Sequence, residues 1–377
     1  MNDQTTRLAI CAAGELYGGI ERFVETFAQY LHDKTEIEPV VVLFYEGELA
    51  KNLRNSNIKT ITVVSRWKYD PFTIWRLARR LRENRVAIVH THGYLATIIG
   101  AISGKLVRAK VVKTEHGRVE PRKQHDMKWF RMLVNKCLDG FVTGWFVDRV
   151  VYVTEDLRKS FRRNGKAYRN TVIYNGLCLE QARYDGHAKV DPSMFNVGIV
   201  GRLTEVKGHM TFLRAMLLMR EPRDVNLYLF GTGPLEQTLQ EFCRDNNLDD
   251  RVHFMGFRKD VLDWLAQLDA FAMPSVHEGL PYALLEAMNM GLPVIASRVG
   301  GLAEVLEDGV DALLVEPNDE NQIAAAVDRI RTDSSLRERL KNNARKKVIE
   351  KFSIEQMAAK YMEVYDAVGV RNLKLVL

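Results

Sequence analysis

Short β-rich runs alternate with helical patterns along almost the whole chain, and the alternation starts twice. A strand followed by a helix that returns to a parallel neighbour is the βαβ unit. A chain written this way folds as a parallel sheet wrapped by helices. In the first series, Arg7–Ala13, Pro39–Phe44, Lys59–Val64, Val86–His90, Lys110–Thr114, Val150–Thr154 and Thr171–Tyr174 read as strands. A turn at Gly14–Gly19 leads into a helix over Ile20–His32, where Phe23, Phe27 and Leu31 recur at spacing four, and a second helix is expected at Phe72–Glu83. Residues 180–194 are polar, carry Gly186 and Pro192 and have no period, as a linker would. The same grammar then restarts with strands at Asn196–Val200, Val225–Phe230, Val252–Met255, Ala270–Met273, Pro293–Ala296 and Ala312–Val315, and a helix over His209–Met219. The expectation is an α/β protein of two Rossmann-like, doubly wound domains facing across a cleft: 1–182, a linker at 183–194, and 195–352. A closing helix within 353–377 is expected to return to the first domain. Ligands in such sheets bind beyond the carboxyl ends of strands, which directs attention to the strand-to-helix turns.

Composition narrows the classes. The 377 residues, 46% of them hydrophobic, suffice for two full cores. The start passes from polar residues directly into a strand, without a secretory apolar region. The longest apolar stretch, Tyr94–Gly104, is too short to cross a bilayer. Cys11, Cys137, Cys178 and Cys243 lie far apart with no CxxC pair, which reads as reduced thiols of a cytoplasmic protein. Residues 122–169 hold twelve Lys/Arg against five Asp/Glu, a net of +7 that exceeds the +6 of the whole chain. That confined charge suits a local anionic contact. No nucleic-acid module accompanies it, so no nucleic-acid partner is expected; a salt-sensitive gel shift would revive that class.

Five turns offer chemistry. Gly18 and Gly19 stand between a strand and a helix start, a layout that cradles phosphate and also makes a tight turn. It is neither the dinucleotide fingerprint nor a Walker A loop, which disfavours a Rossmann dehydrogenase. Arg202 and Lys207, beyond the first strand of the second series, suit two adjacent phosphates, or are solvated surface cations. Gly231 and Gly233 follow the next strand and could bring a ligand to the backbone or simply make the turn, and Phe257 and Arg258, after the one following, could wall a base pocket. The most informative stretch is HEGLPYALLEAMNMG, 277–291. Pro281 fits the first turn of a helix. Gly279 permits close approach, and its N–H and that of Leu280 can face an anion. Glu278 stands at the mouth, and Glu286 lies among Leu284, Leu285, Ala287 and Met288, where a carboxylate needs a partner. Two spaced carboxylates can each hold a polyol, one at either end of a diphosphate; otherwise Glu278 caps the helix and Glu286 pairs with a core cation.

Gly18-Gly-Ile-Glu-Arg22, Gly201-Arg-Leu-Thr-Glu-Val-Lys-Gly208, Glu278-Gly-Leu-Pro-Tyr-Ala-Leu-Leu-Glu-Ala-Met288 and the run from Val299 to Pro317 together resemble glycosyltransferase family 4, the retaining GT-B enzymes. The resemblance implies a nucleotide-sugar donor as co-substrate, with a uridine nucleotide favoured, and no metal or other cofactor; the chain has no Asp-x-Asp triplet. It implies that Arg202 and Lys207 neutralise the donor diphosphate, with Gly18 and Gly19 against the same phosphates. Glu286 would bind the ribose and Glu278 the transferred sugar, with Gly279, Leu280 and Pro281 lining that pocket. His116 matches a family histidine near the reacting carbon. One departure is visible: after Tyr174-Asn175-Gly176 the family has a hydrophobic residue and then Asp, whereas here Leu177-Cys178 follow.

The resemblance implies a saccharide acceptor, and the basic segment bears on whether it is lipid-linked. Residues 122–146 mix Lys128, Arg131 and Lys136 with Trp129, Phe130, Phe141 and Trp145, which suits an anionic membrane surface at the cytoplasmic face, or is a core helix with a solvated basic side. The pathway implied is surface polysaccharide or lipopolysaccharide synthesis. A GT-B sugar-nucleotide epimerase or hydrolase would use the same nucleotide site without an acceptor.

Overall fold

The computed structural model describes all residues except 1–6, 16, 65–69, 118–126, 162–169, 180–189, 222–223 and 370–377, and of 127–129 and 131 the backbone alone. The chain divides into two compact units, Met1–Cys178 with Ile354–Leu377, and Leu179–Ser353.

Unit 1 is built on strands β1 (Arg7–Ala12), β2 (Glu38–Leu43), β3 (Lys59–Thr62), β4 (Val86–His92), β5 (Lys110–Glu115), β6 (Arg149–Tyr152) and β7 (Asn170–Val172). They form one parallel sheet in the order β3-β2-β1-β4-β5-β6-β7. Its helices are α1 (Gly19–Lys34), α2 (Glu48–Asn55), α3 (Pro71–Glu83), α4 (Tyr94–Leu106), α5 (Met127–Phe146) and α6 (Glu155–Phe161). The central strands β1, β2 and β4 are largely apolar and buried because helices cover the faces of such a sheet, whereas the edge strands β3 (KTIT) and β7 (NTV) are more polar and only partly buried. Phe23, Phe27 and Leu31 of α1 are fully buried, as their spacing predicts. Asp70 starts α3 by accepting from the Phe72 N–H, with Pro71 at the first helical position. The apolar stretch at 94–104 forms α4, which is buried along most of its length. Lys113 on β5 is buried, donates to Asp139 at 2.6 Å and Thr143 at 3.2 Å on α5, and pairs with Glu115. That cluster ties α5 to the strand preceding His116.

Unit 2 repeats the plan with β8 (Phe195–Val200), β9 (Val225–Phe230), β10 (Val252–Gly256), β11 (Ala270–Met273), β12 (Val294–Ser297) and β13 (Leu313–Val315). The order is β10-β9-β8-β11-β12-β13, again parallel. Its helices are α7 (His209–Met216), α8 (Glu236–Asp245), α9 (Val261–Leu265), α10 (Tyr282–Asn289), α11 (Gly300–Val305), α12 (Glu320–Thr332) and α13 (Ser334–Lys351). Asp319 and Asp333 cap α12 and α13 through backbone N–H groups. The last helix, α14 (Ile354–Ala367), packs in unit 1, where Tyr361 and Tyr365 are fully buried.

Both sheets are doubly wound. The direction of winding reverses between β1 and β4 in unit 1 and between β8 and β11 in unit 2. Ligands bind at such a reversal, outside the carboxyl ends of the strands.

Candidate active site

In unit 2 the turns flanking the reversal are zipped onto their neighbours. Residues 201–203, after β8, lie along residues 231–235, after β9, with Leu203 N–H donating to Thr232 C=O at 3.1 Å and Leu235 N–H to Leu203 C=O at 3.1 Å. The approach is so close that a Cβ on Gly231 would lie 2.1 Å from the Gly201 carbonyl oxygen, and one on Gly233 2.4 Å from that of Leu203. Internal packing therefore accounts for both glycines. Past this seam the chain makes one 3₁₀ turn, Glu205–Lys207. Gly208 follows in the left-handed region at φ 69°, its absent Cβ directed at the Pro274 carbonyl.

This turn docks on the loop after β11: Val276 N–H donates to Val206 C=O at 2.8 Å. The docking brings Lys207 to Glu278, Nζ to Oε1 at 2.6 Å, while the Ser275 hydroxyl donates to the same oxygen at 2.7 Å. Glu278 is buried and Lys207 half-buried, so a cation and a carboxylate are held at the reversal with little freedom. Ser275 had no signal in the sequence beyond its place three residues before Glu278. Arg202 is exposed in the same turn as Lys207. Gly279 and Leu280 are buried. Pro281 occupies the N-cap position, one residue before α10, rather than the first turn as its φ preference suggested; its ψ of 140° is extended, so the helix begins at Tyr282. Glu286 is buried in α10. Phe257 is exposed after β10, while Arg258 forks onto Asp260 at 2.9 Å and lies over the Trp264 ring.

In unit 1 the turn after β1 has a different character. A Cβ on Gly19, the first residue of α1, would meet nothing within 4 Å, and one on Gly18 only the Glu21 carboxylate at 3.6 Å. Internal crowding does not demand these two glycines, and the space over Gly19 is open. Glu21 is buried beneath the turn. Burial pushes its carboxyl above the usual range, and the backbone at Glu21, Gly18 and Gly14 pulls the other way.

At the carboxyl ends of β4 and β5 lies a histidine cluster: His90 and His92 on β4, and His116 just past β5. His90 Nε2 is 2.7 Å from Thr114 Oγ1, and His90 Nδ1 is 2.7 Å from the Tyr365 hydroxyl; Thr114 Oγ1 is also 3.0 Å from the Tyr361 hydroxyl. His92 Nδ1 is 2.8 Å from His116 Nε2, and Phe23 of α1 packs against both of these rings. Burial lowers the pKa of His90 and of His116 to about 3 and that of His92 well below its ordinary value, so all three are neutral near pH 7. Of this cluster the sequence reading had singled out His116 alone.

Of the sequence-predicted surface residues, Lys136 is exposed on α5, and the side chains of Lys128, Trp129 and Arg131 lie outside the described residues. Among the described residues no helix is long and apolar enough to cross a membrane, and no group of three or more His, Cys, Asp or Glu is placed to hold a metal ion.

Residues 17–181 match the description Glycosyltransferase Family 4, and residues 195–333 match Glycosyl transferases group 1. The chain belongs to glycosyltransferase family 4. Within that family it is 29% identical over 314 residues to the UDP-Gal:alpha-D-GlcNAc-diphosphoundecaprenol alpha-1,3-galactosyltransferase of Escherichia coli, covering 78% of this chain and 79% of that protein. It is 28% identical over 354 residues to the lipopolysaccharide core biosynthesis glycosyltransferase LpsD of Rhizobium meliloti (93% and 95% covered). In fold it is similar to HepE of Anabaena in complex with UDP-glucose, with a TM-score of 0.83 at 22% identity over 96% of this chain and 99% of that one. This family 4 member thus has the GT-B plan of two Rossmann-like domains.

Proposed function

We propose that the protein transfers a sugar from a nucleotide-diphosphate sugar, a UDP-sugar by preference, to a hydroxyl of a lipid-linked saccharide in surface polysaccharide or lipopolysaccharide synthesis, with retention at the anomeric carbon. The observation that carries this reading is the Lys207–Glu278–Ser275 constellation at the winding reversal of unit 2. Lys207 and the exposed Arg202 meet the charge that grows on the departing diphosphate. Glu278, with Gly279, Leu280 and Pro281, receives the sugar; Glu286 takes the ribose hydroxyls, and Phe257 offers a face for the base. Gly231 and Gly233 let the turn approach, and Arg258 is steadied by Asp260 and Trp264. In unit 1, Gly19 with its open space, Gly18 and His116 are the residues offered to a reactant. The acceptor oxygen bonds to the anomeric carbon as the carbon–phosphate oxygen bond breaks, and the acceptor's proton passes to the leaving phosphate on the same face. Charge neutralisation falls to Arg202 and Lys207, so the scheme needs no divalent ion.

Thermal unfolding against UDP-, GDP- and ADP-sugars, each with EDTA, tests the donor. A ligand bound only by the native state raises the midpoint by an amount set by its concentration over Kd, about 2.7 kcal/mol of stabilisation at a hundredfold excess. One nucleotide class is expected to give the shift, and Glu286→Ala, compared with its own unliganded midpoint, is expected to lose it. No shift with any of the three would sink the donor assignment.

The lipid-linked acceptor is supported by the diphosphoundecaprenol in the name of the Escherichia coli relative and by α5. That helix exposes Phe130, Leu133, Val134, Leu138, Phe141 and Trp145 at spacings of three and four, beside the exposed Lys136. An apolar stripe bordered by cations suits the cytoplasmic face of an anionic bilayer, where the aromatic side chains lie at headgroup depth. Flotation with phosphatidylglycerol vesicles is expected to recover the native chain. Phe141→Ser/Trp145→Ser should weaken binding about tenfold or more, from the apolar transfer of two aromatic side chains. Equal recovery of both chains would remove α5 from the membrane contact.

A further inference from the structure

The His92–His116 contact carries information that neither ring holds alone. Both imidazoles are neutral, so one of the two facing nitrogens donates and the other accepts. If His116 Nε2–H donated, the proton of His92 would sit on Nε2. That atom is buried and has no hydrogen-bond partner among the described residues. It belongs to a ring packed against those of His90, 4.2 Å away, and Phe23, 4.8 Å away. Buried orphan N–H groups are rarer than under-satisfied acceptors. The opposite arrangement leaves only a lone pair there: His92 Nδ1–H donates, and His116 Nε2 accepts. His116 must then carry its own proton on Nδ1, the one ring nitrogen the pair leaves over.

We infer that His92 is a positioning residue that locks His116 in its Nδ1–H form, so that His116 presents a hydrogen-bond donor, not a base, to a reactant oxygen. The reactant in this statement rests on the glycosyltransferase reading above; the tautomer does not. A donor suits a hydroxyl or ring oxygen whose charge or orientation matters in the transfer, and it leaves proton removal from the acceptor to the phosphate. Phe23 holds the geometry from the other side: it packs edge-on to His116 at 5.0 Å and comes from α1, the helix that Gly19 begins. The open turn and the histidine pair are therefore braced by one side chain.

Nitrogen-15 spectra of the full-length, histidine-labelled chain, recorded without donor, read the tautomer directly. The expected native result for His116 is a protonated Nδ1 and a bare Nε2. His92→Asn, whose amide can donate from nearly the same place as the lost Nδ1–H, is expected to keep that pattern. His92→Phe keeps the shape without the donor and is expected to lose the pattern. Transfer kinetics then follow the spectra. His92→Phe lowers kcat by up to about 100-fold, the scale of a small misplacement of a reacting group, with little change in donor KM, and His92→Asn recovers most of the loss. A native His116 protonated at Nε2, or a tautomer unaltered in His92→Phe, overturns the proposal. If His92→Phe does not fold, the native and His92→Asn spectra still decide it. Absence of sugar transfer by the native chain with every donor would overturn the reaction and with it the positioning role, while the spectra separately settle the tautomer.

Discussion

Lys207→Met is expected to lower the transfer rate by about 100- to 1000-fold, the loss seen when one preorganised group that stabilises developing charge is removed. The cation lies 2.6 Å from Glu278 at the winding reversal, where a leaving diphosphate would gain charge. The substitution also strands a buried carboxylate. Breaking a buried pair costs up to about 3–5 kcal/mol, and here the Ser275 bond and the partial exposure of Lys207 moderate it. Loss of rate and loss of fold must therefore be separated. The double variant Lys207→Met/Glu278→Gln replaces the stranded charge with a neutral amide, so its unfolding midpoint is expected to recover part of the loss while its rate does not recover. Steady-state kinetics and urea unfolding on the three chains check this. A Lys207→Met rate within tenfold of native would take the lysine out of the leaving-group role.

Acid is expected to weaken unit 1 well before carboxylates titrate. His90 has its pKa lowered to about 3 by burial, and burial holds His92 well below the ordinary value of 6.5. When the folded pKa is the lower one, the unfolded chain takes up the proton first. The contribution is whole above pH 6.5 and is lost as pH falls from there toward the folded values. Each histidine contributes a slope of roughly 1.4 kcal/mol per pH unit. Between pH 6.5 and 5 these two account for about 3 kcal/mol, because the full slope is reached only below the unfolded pKa, a sizeable part of the stability of an ordinary domain. Glu21 and Glu115, whose carboxyls burial raises, act in the opposite sense as they gain protons in the folded state. The slope in His90→Asn isolates the histidine: urea midpoints from pH 7.5 to 5 should fall steeply for the native chain and less steeply for the variant. Parallel slopes would mean that His90 is not held neutral.

The central strands were legible because a parallel sheet buries both faces and writes its inner strands as apolar runs. Val40-Val41-Val42 on β2 and Leu227 and Leu229 on β9 show no exposure at all. The same burial hid α4: a helix covered on nearly every side has no polar stripe, so Tyr94–Gly104 showed apolarity without a period. Lys207 and Glu278 were each visible as residues with chemistry, but they are 71 positions apart, and only the docking of the Glu205–Lys207 turn on the β11 loop brings them together. His92 was passed over for a related reason. Its partner lies across the β4–β5 ladder, and the register that places His92 opposite Thr114 is a property of the sheet. Gly231 and Gly233 looked like ligand-facing glycines and are accounted for by neighbouring carbonyls, whereas Gly19 keeps an open face.

The burial of Tyr361 and Tyr365 against β4 and β5 has a consequence for how the chain comes off the ribosome. Domains emerging during synthesis ordinarily fold from the amino end first. Here the sheet of unit 1 is complete at Val172, yet the hydroxyls that meet His90 and Thr114 are translated only after the whole of unit 2. Until then the pocket for α14 is unfilled, with Phe23, Phe27 and His90 at its base. Residues 179–353, being continuous, carry no such debt and can reach their native state first. The nascent amino-terminal half therefore waits longest with this apolar surface uncovered, and release of the carboxyl-terminal helix is the event that closes it.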